Sequence, residues 1–203
     1  MTYPTRKEAQ ALLAWGEAQN PGPWINHCQA TAYAAETIAS HCGMDPEQAY
    51  VSGLLHDIGY YANADGTGKT CHVYAGYILM KEKGYDPIAE ICLTHSFPIQ
   101  DINTYSGLTL ATHPQERAIL ESELSSIAYN DYHKLIQLCD CIGTAPICII
   151  EQRFVDVTLR HGFNAHTLEK WKAYYTVKDY FEKKCGENIY NFFRDEINKR
   201  IFT

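Results

Sequence analysis

The sequence has no run of about 18 uncharged apolar residues, so it lacks the kind of segment that crosses a membrane. Its first ten residues, MTYPTRKEAQ, lack the apolar core of a signal peptide. No Pro/Gly/Ser-rich linker, low-complexity tract or internal repeat divides the 203 residues, 46% of which are hydrophobic. We therefore expect a cytoplasmic protein with no membrane span. We expect one domain over residues 1–203, with its core at about 24–143 and C-terminal helices at 147–200 packed on it.

The eight cysteines include no C-x-x-C pair. Several lie in apolar helical stretches, where a free cysteine behaves as a small hydrophobic residue. In a chain without an export signal we interpret all eight as reduced thiols and not as a disulfide framework. The CDC sequence at 139–141 does not have the spacing of a zinc knuckle, which favours buried thiols there as well.

The net charge is −7 and is unevenly distributed. Residues 1–166 contain nine Lys/Arg and 18 Asp/Glu, whereas residues 167–203 contain eight and six. An acidic body repels a polyanion, so nucleic-acid binding as the main task is disfavoured. A small anionic substrate remains compatible if a cation inside the site reverses the local field.

The apolar pattern is helical nearly throughout, and no sustained period-two alternation predicts a sheet. The sequence therefore predicts an all-α fold. Thr5 and Glu8 have the spacing of a capping box, and Asp45 with Pro46 is typical of a helix start. After the first helix, which opens at Thr5, a helix that begins with Asp45 and Pro46 carries the His56-Asp57 pair. The other predicted helices cover about 26–41, 72–83, 87–95, 114–129, 131–142, 147–161, 167–184 and 187–200.

The stretch VSGLLHDIGYYA, residues 51–62, places a carboxylate in an apolar helix. From Gln48 to Asn63 the only charged side chain is Asp57, beside His56. Burying a carboxylate without a partner costs many kcal/mol by solvation estimates, and no Lys or Arg is near in sequence. A metal ion would satisfy both groups, because neutral imidazole and carboxylate are good ligands.

The same anomaly recurs elsewhere in the chain. Asp140 is the only charged residue between Lys134 and Glu151, and three further histidines share helix faces with small or apolar residues. Taken singly, such a histidine is more often a hydrogen-bonded core residue than a ligand. The set of six, which we expect to converge, comprises His27, His56, Asp57, His72, His95 and Asp140.

The order of these six residues resembles the HD-domain superfamily of metal-dependent phosphohydrolases. The segments that carry the resemblance are WINHCQATAYAAETIA, GLLHDIGY, HVYAGYILMKEKG, AEICLTHSF and LIQLCDCIG. The resemblance implies an HD-domain helical bundle in which His27, His56, Asp57 and Asp140 hold one metal. It further implies that His72 and His95 hold a second ion with Asp57 bridging, although a single ion remains the alternative. The ligand types suit Fe, Mn, Co, Ni or Zn.

The resemblance implies hydrolysis of a small phosphate ester or anhydride, such as a nucleotide or dinucleotide, by attack of a metal-bound hydroxide on phosphorus. Asp57 would orient that hydroxide. Many two-metal relatives have Lys directly after HDIG, where it meets the substrate phosphate, but here Tyr60 occupies that position. Lys69 or Arg153 is the expected substitute.

Three other interpretations stay open. The chain could be a binding module that holds a metal and ligand without turnover, a metal-free helical protein, or a di-iron oxygenase of the HD fold. The aromatic residues of WKAYYTVKDYF, 171–181, favour packing on the domain or a homodimer contact over a base-stacking platform.

Overall fold

The computed structural model describes residues 2–63, 70–105 and 113–202. Within these ranges the chain forms α-helices and short 3-10 helices and no strand, which confirms the all-α prediction. The 3-10 helices are Ile58–Asn63, Ile102–Thr104 and Ile189–Phe193. The α-helices are α1 (Arg6–Gln19), α2 (Trp24–His41), α3 (Pro46–Leu55), α4 (His72–Glu82), α5 (Asp86–Thr94), α6 (Pro114–Ser126), α7 (Asp131–Ile142), α8 (Ile150–His161), α9 (Thr167–Cys185) and α10 (Arg194–Phe202).

Local sequence signals set several helix ends. The side chain of Thr5 accepts a hydrogen bond from the backbone N–H of Glu8, whose carboxylate accepts from the backbone N–H of Thr5. Asp45 caps α3 in the same way, by accepting from the N–H groups of Glu47 and Gln48. Such caps satisfy backbone donors that the first helical turn leaves without a partner.

Helix α3 lies at the centre and packs closely on α2. A Cβ on Gly53 would stand 2.8 Å from Cα of Ala32, so only glycine permits this approach. An apolar stripe along α3 and the residue beyond it is buried throughout. The stripe consists of Val51, Leu54, Leu55 and Ile58.

The predicted helix around the His-Asp pair is wrong in one respect, because α3 ends at Leu55, directly before His56. A 3-10 turn follows, in which Tyr60 donates from its backbone N–H to the carbonyl of Asp57. At Gly59 a Cβ would stand only 1.8 Å from the carbonyl oxygen of His72. The close passage of α4 therefore requires glycine there, and it accompanies the change to a tighter turn.

The C-terminal helices pack on α2 and α7. Phe181 of α9 and Phe193 are fully buried in a cluster with Ile38 of α2 and Ile142 of α7. The helix predicted over 187–200 is instead a 3-10 helix followed by α10. No helix of the described residues is long and apolar enough to cross a bilayer.

The prediction of eight reduced thiols is wrong for one pair. Cys42, just after α2, and Cys185, the last residue of α9, form a disulfide across 143 residues of sequence. Packing of α9 on α2 brings the two Cα atoms to 4.5 Å, within the usual range for a disulfide. The other six cysteines, all within the described residues, are free and buried.

Candidate metal centre

The six candidate ligands lie at helix ends that meet in one place. His27 is in the first turn of α2, and Asp140 is in the last turn of α7. His56 and Asp57 follow α3, His72 begins α4, and His95 follows α5. Helix packing thus gathers residues that are up to 113 positions apart in sequence, as for His27 and Asp140.

The first group of donors surrounds His27 and His56. Their Nε2 atoms are 3.2 Å apart, and Oδ1 of Asp140 lies 2.9 Å from Nε2 of His27 and 3.7 Å from that of His56. Oδ2 of Asp57 lies 3.7 Å and 3.5 Å from the same two nitrogens. Two imidazoles and two carboxylates therefore point at a common centre.

The second group uses the other oxygen of Asp57. Oδ1 lies 3.3 Å from Nε2 of His72 and 3.2 Å from Nε2 of His95. Donor atoms of His27, His56 and Asp57 lie within 4.8 Å of one another, as do those of Asp57, His72 and His95. The structure thus brings all six predicted residues together, in two groups that share Asp57.

Backbone carbonyls fix the orientation of three rings. Nδ1 of His27 lies 2.7 Å from the carbonyl of Gly143, Nδ1 of His56 lies 2.7 Å from that of Gly53, and Nδ1 of His95 lies 2.9 Å from that of Cys92. A carbonyl only accepts, so each Nδ1 donates its proton, and Nε2 is the nitrogen of each ring that is left to bind at the centre. This is the arrangement that metal-binding histidines adopt.

The donor atoms of the centre fit a cation, and the surroundings of Asp57 are the evidence for this. Among the described residues, no group makes a hydrogen bond to its buried Oδ1, although two Nε2 atoms are close. A buried carboxylate oxygen without a partner costs several kcal/mol. Likewise, two Nε2 lone pairs at 3.2 Å repel unless a proton or cation lies between them. A metal ion in each group would remove both penalties, so the residues fit the metals that the resemblance implies.

The charges of the cluster shift the titration of its members in opposite directions. Burial raises the pKa of Asp57, but the surrounding imidazoles, His56 foremost, outweigh burial and hold that pKa below its ordinary value. Burial lowers the pKa of His27, but the hydrogen bond to Asp140 and the charges of Asp140 and Asp57 together outweigh burial, and the pKa rises to about 9. For His72 burial prevails over Asp57 and lowers the pKa to about 4.

Two of the three residues predicted to act on the substrate can be placed. Asp57 lies at the centre of the cluster, and half-buried Arg153 lines the same open cleft of about 830 Å³ as five of the six candidate ligands. The Arg153 Nη1 lies 3.4 Å from Oδ2 of Asp156. Lys69 lies outside the described residues, so its predicted contact with phosphate stays a prediction.

Sequence reasoning noted Tyr60 only as a replacement for lysine. Its ring stacks on that of His72, with centroids 4.4 Å apart and planes 5° from parallel. The Tyr105 hydroxyl lies 3.5 Å from Nδ1 of His72, so these two tyrosines hold the one histidine ring of the cluster that has no carbonyl on Nδ1 among the described residues. The chain gives no local signal for Tyr105, because it approaches His72 from 33 residues away.

Comparisons with known proteins agree with this geometry. The model of the HD domain family matches residues 24–141. Ribonuclease Y of Opitutus terrae (strain DSM 11246 / JCM 15787 / PB90-1) is 37% identical over 101 residues, a stretch that covers 46% of this chain and 19% of that protein. The chain thus spans about a fifth of the length of this curated relative. No solved structure matches the chain. Since the family model covers more than half of the residues, the protein belongs to the HD-domain family, within a superfamily of metal-dependent phosphohydrolases.

Proposed function

We propose that the protein hydrolyses a small phosphate ester or anhydride with two divalent transition-metal ions. His27, His56, Asp57 and Asp140 hold one ion, and Asp57, His72 and His95 hold the other. The observation that carries this proposal is that the two carboxylate oxygens of Asp57 face different histidines. Its Oδ2 faces His27 and His56, and its Oδ1 faces His72 and His95. A carboxylate placed in this way could offer one oxygen to an ion in each group.

Two such ions would lower the pKa of bound water toward 7 and offset the negative charge of phosphoryl oxygens. The protein supplies the orientation. Carbonyls on Nδ1 of His27, His56 and His95 keep Nε2 directed at the centre. Asp57 lies between the two groups of rings and is itself buried, with only 7% of its surface exposed where it lines the cleft. Fixed donors and low solvent access favour a charged transition state over free substrate.

The open cleft would receive the substrate. Arg153 lies at its border next to Asp140, whose charge raises the pKa of the guanidinium against the effect of burial. A permanently charged guanidinium can donate two hydrogen bonds to a phosphoryl group. Arg153 would thus hold non-bridging oxygens, and Lys69 remains a second candidate for this contact.

A nucleotide or dinucleotide suits the site better than a long nucleic acid. The net charge of −7 opposes the approach of a polyanion, because affinity for such chains depends on cationic contacts along the backbone. The similarity to ribonuclease Y extends to 19% of that protein. RNA is therefore tested for hydrolysis beside the small substrates and is not the proposed substrate.

Metal analysis of untagged protein tests the ligand assignment. We expect about two transition-metal ions per chain in the wild type and about one in His72→Ala, which loses a ligand of one group only. His133→Gln is the matched control, because His133 is a buried histidine of α7 outside the cluster and should leave both ions bound. Equal metal content in His72→Ala and wild type would contradict the second ion.

Turnover with Mn²⁺ tests the reaction. Nucleotides, dinucleotides, an activated phosphodiester and a short RNA form the panel, and phosphate or nucleotide release is measured. Hydrolysis of the small substrates supports the proposal. Metal binding without any turnover would identify a binding module, and oxygen consumption by an iron-loaded sample would identify an oxygenase. Preferred cleavage of RNA would contradict the substrate class.

A further inference from the structure

A second cavity of about 150 Å³, here called the side cavity, adjoins the cleft between α7, α8 and α9. Asp140 and Arg153 line both spaces, so the side cavity begins where the metal centre ends. Its other walls come mainly from residues 153–174, beyond the part of the chain that the family model matches. Any ligand bound here would therefore be recognised by this chain's own C-terminal helices.

One wall of the side cavity is aromatic. The rings of Phe154 and Trp171 stack with centroids 4.8 Å apart and planes 3° from parallel. Tyr174, one turn after Trp171, adds a third ring to the lining, and burial raises the pKa of its hydroxyl. The mutual packing of Phe154 and Trp171 holds this wall rigid, which lowers the entropic cost of binding a flat ligand against it.

The rest of the lining is polar. Thr158 and Thr167 contribute hydroxyl groups, and Asn164 contributes an amide near the exposed mouth. Lys170 donates from Nζ to the carbonyl of Thr104 at 3.2 Å, and burial lowers its pKa against the opposing effect of Asp140. Polar groups therefore line the same cavity as the aromatic wall, and the Thr167 hydroxyl donates to the amide oxygen of Asn164.

We propose that the side cavity binds a nucleobase, the planar and hydrogen-bonding aromatic part of a phosphate ester whose phosphate lies in the cleft. This inference rests on the proposed hydrolysis of a phosphate ester, and it adds where the organic part of the substrate binds. Arg153, which borders both spaces, lies between the phosphate and the base. An aromatic ring accepts stacking on one side and hydrogen bonds at its edge, which is the division of the lining that the cavity offers.

Binding of nucleosides, which have no phosphate to hydrolyse, tests this assignment apart from catalysis. Adenosine, guanosine, cytidine and uridine are titrated into the protein as purified and followed by calorimetry, with ribose as the matched ligand without a base. We expect saturable binding of at least one nucleoside and none of ribose. Binding of ribose as tight as that of the nucleosides, or of neither, would overturn the proposal.

Two substitutions on α8 locate the base. Thr158→Phe fills the side cavity, whereas Leu159→Phe adds a ring at the neighbouring position, where the side chain is 82% exposed and does not line the cavity. We expect Thr158→Phe to weaken nucleoside binding by about tenfold or more, within the range that stacking on protein aromatics provides. Leu159→Phe should bind as the wild type does. Equal binding by all three proteins would overturn the proposal, and thermal melting confirms that each is folded.

Turnover separates this inference from the proposed function. The measured quantity is the ratio of kcat/KM for a nucleoside 5′-monophosphate to that for ribose 5-phosphate. We expect this ratio to fall about tenfold in Thr158→Phe and to stay unchanged in Leu159→Phe. Hydrolysis without preference for the nucleotide would overturn the side-cavity assignment alone. Nucleoside binding without hydrolysis of any ester would contradict the proposed function alone.

Discussion

The two parts of the chain that meet at the cleft differ in charge. Residues 24–141, which match the family, contain 14 acidic and 5 basic side chains, whereas residues 150–202 contain 8 acidic and 10 basic ones. All six candidate metal ligands belong to the first part, and Arg153 and Lys170 belong to the second. A cation is attracted to the first part and a phosphate to the second, so each supplies what the other lacks.

The same division appears in the surroundings of the site. Within the family-matched part and directly after it, backbone carbonyls of Gly53, Cys92 and Gly143 fix the rings, so helix ends determine the geometry. In the C-terminal part, side chains of α8 and α9 form the walls. We infer that the first part determines the chemistry and the second selects the substrate. Changes in the two parts should therefore have separable effects.

The largest effect is expected at Asp57. Among the described residues, Asp57 is the only carboxylate near both groups of histidines, so Asp57→Ala should lower metal content and turnover to background. Metal analysis and phosphate release measure the two losses. Asp86→Ala is the control, because this exposed aspartate pairs only with Lys81 among the groups described and should change neither quantity. Full metal content in Asp57→Ala would end the catalytic interpretation.

The next largest effect concerns the attachment of the C-terminal helices. Phe181→Ala should lower the free energy of unfolding by about 3–5 kcal/mol, because this ring is fully buried between α9 and α2 and its loss leaves a cavity. Denaturant unfolding followed by circular dichroism measures the change. Thr176→Ala on the exposed side of α9 should stay within about 0.5 kcal/mol of the wild type. If Phe181→Ala instead shows a separate transition at lower denaturant while the main transition does not move, the C-terminal helices unfold independently of the rest.

Arg153 should separate substrate contact from metal binding. We expect Arg153→Ala to lower kcat/KM by about ten- to a hundredfold while metal content stays at the wild-type level, because a charge-assisted contact to phosphate is lost. Arg153→Lys should recover part of the activity, since it keeps the charge and loses the planar fork. Lys172→Ala, on the exposed side of α9, is the control and should change neither kcat/KM nor metal content. If Arg153→Ala loses metal in proportion to its loss of activity, Arg153 stabilises the metal centre and does not contact the substrate alone.

The sequence predicted some of this architecture well and some not at all. The isolated charges of Asp57 and Asp140 identified the centre, because an apolar helix tolerates a carboxylate only with a strong partner. The stack of Phe154 on Trp171 was not predicted, since aromatic residues at helical spacing are compatible with packing on any face. The Cys42–Cys185 bond depends on a helix contact across 143 residues, which no local pattern encodes.

His133 tests the distinction between a core histidine and a ligand. It is as buried as His95, yet its Nδ1 accepts a hydrogen bond from the backbone N–H of Asn130, which requires the neutral ring, and Nε2 lies 3.3 Å from Glu90. Burial lowers the pKa of His133 to about 4, below its ordinary value of 6.5. The neutral form is thus favoured in the folded state, and the stability that this preference contributes is complete above pH 6.5.

That contribution should be lost as the pH falls from about 6.5 toward 4, because the unfolded chain binds a proton that the folded chain excludes. Between pH 7.5 and pH 5 the wild type should lose about 2 kcal/mol more unfolding free energy than His133→Gln, by the conversion of about 1.4 kcal/mol per pKa unit. Glutamine at this third helical position can still accept the capping hydrogen bond from Asn130. Urea unfolding at the two pH values measures the difference, and the metal-centre histidines cancel because both proteins retain them. Equal acid sensitivity of the two proteins would mean that His133 is protonated in the folded state. The hydrogen bond from Asn130 would then not distinguish this core histidine from the candidate ligands.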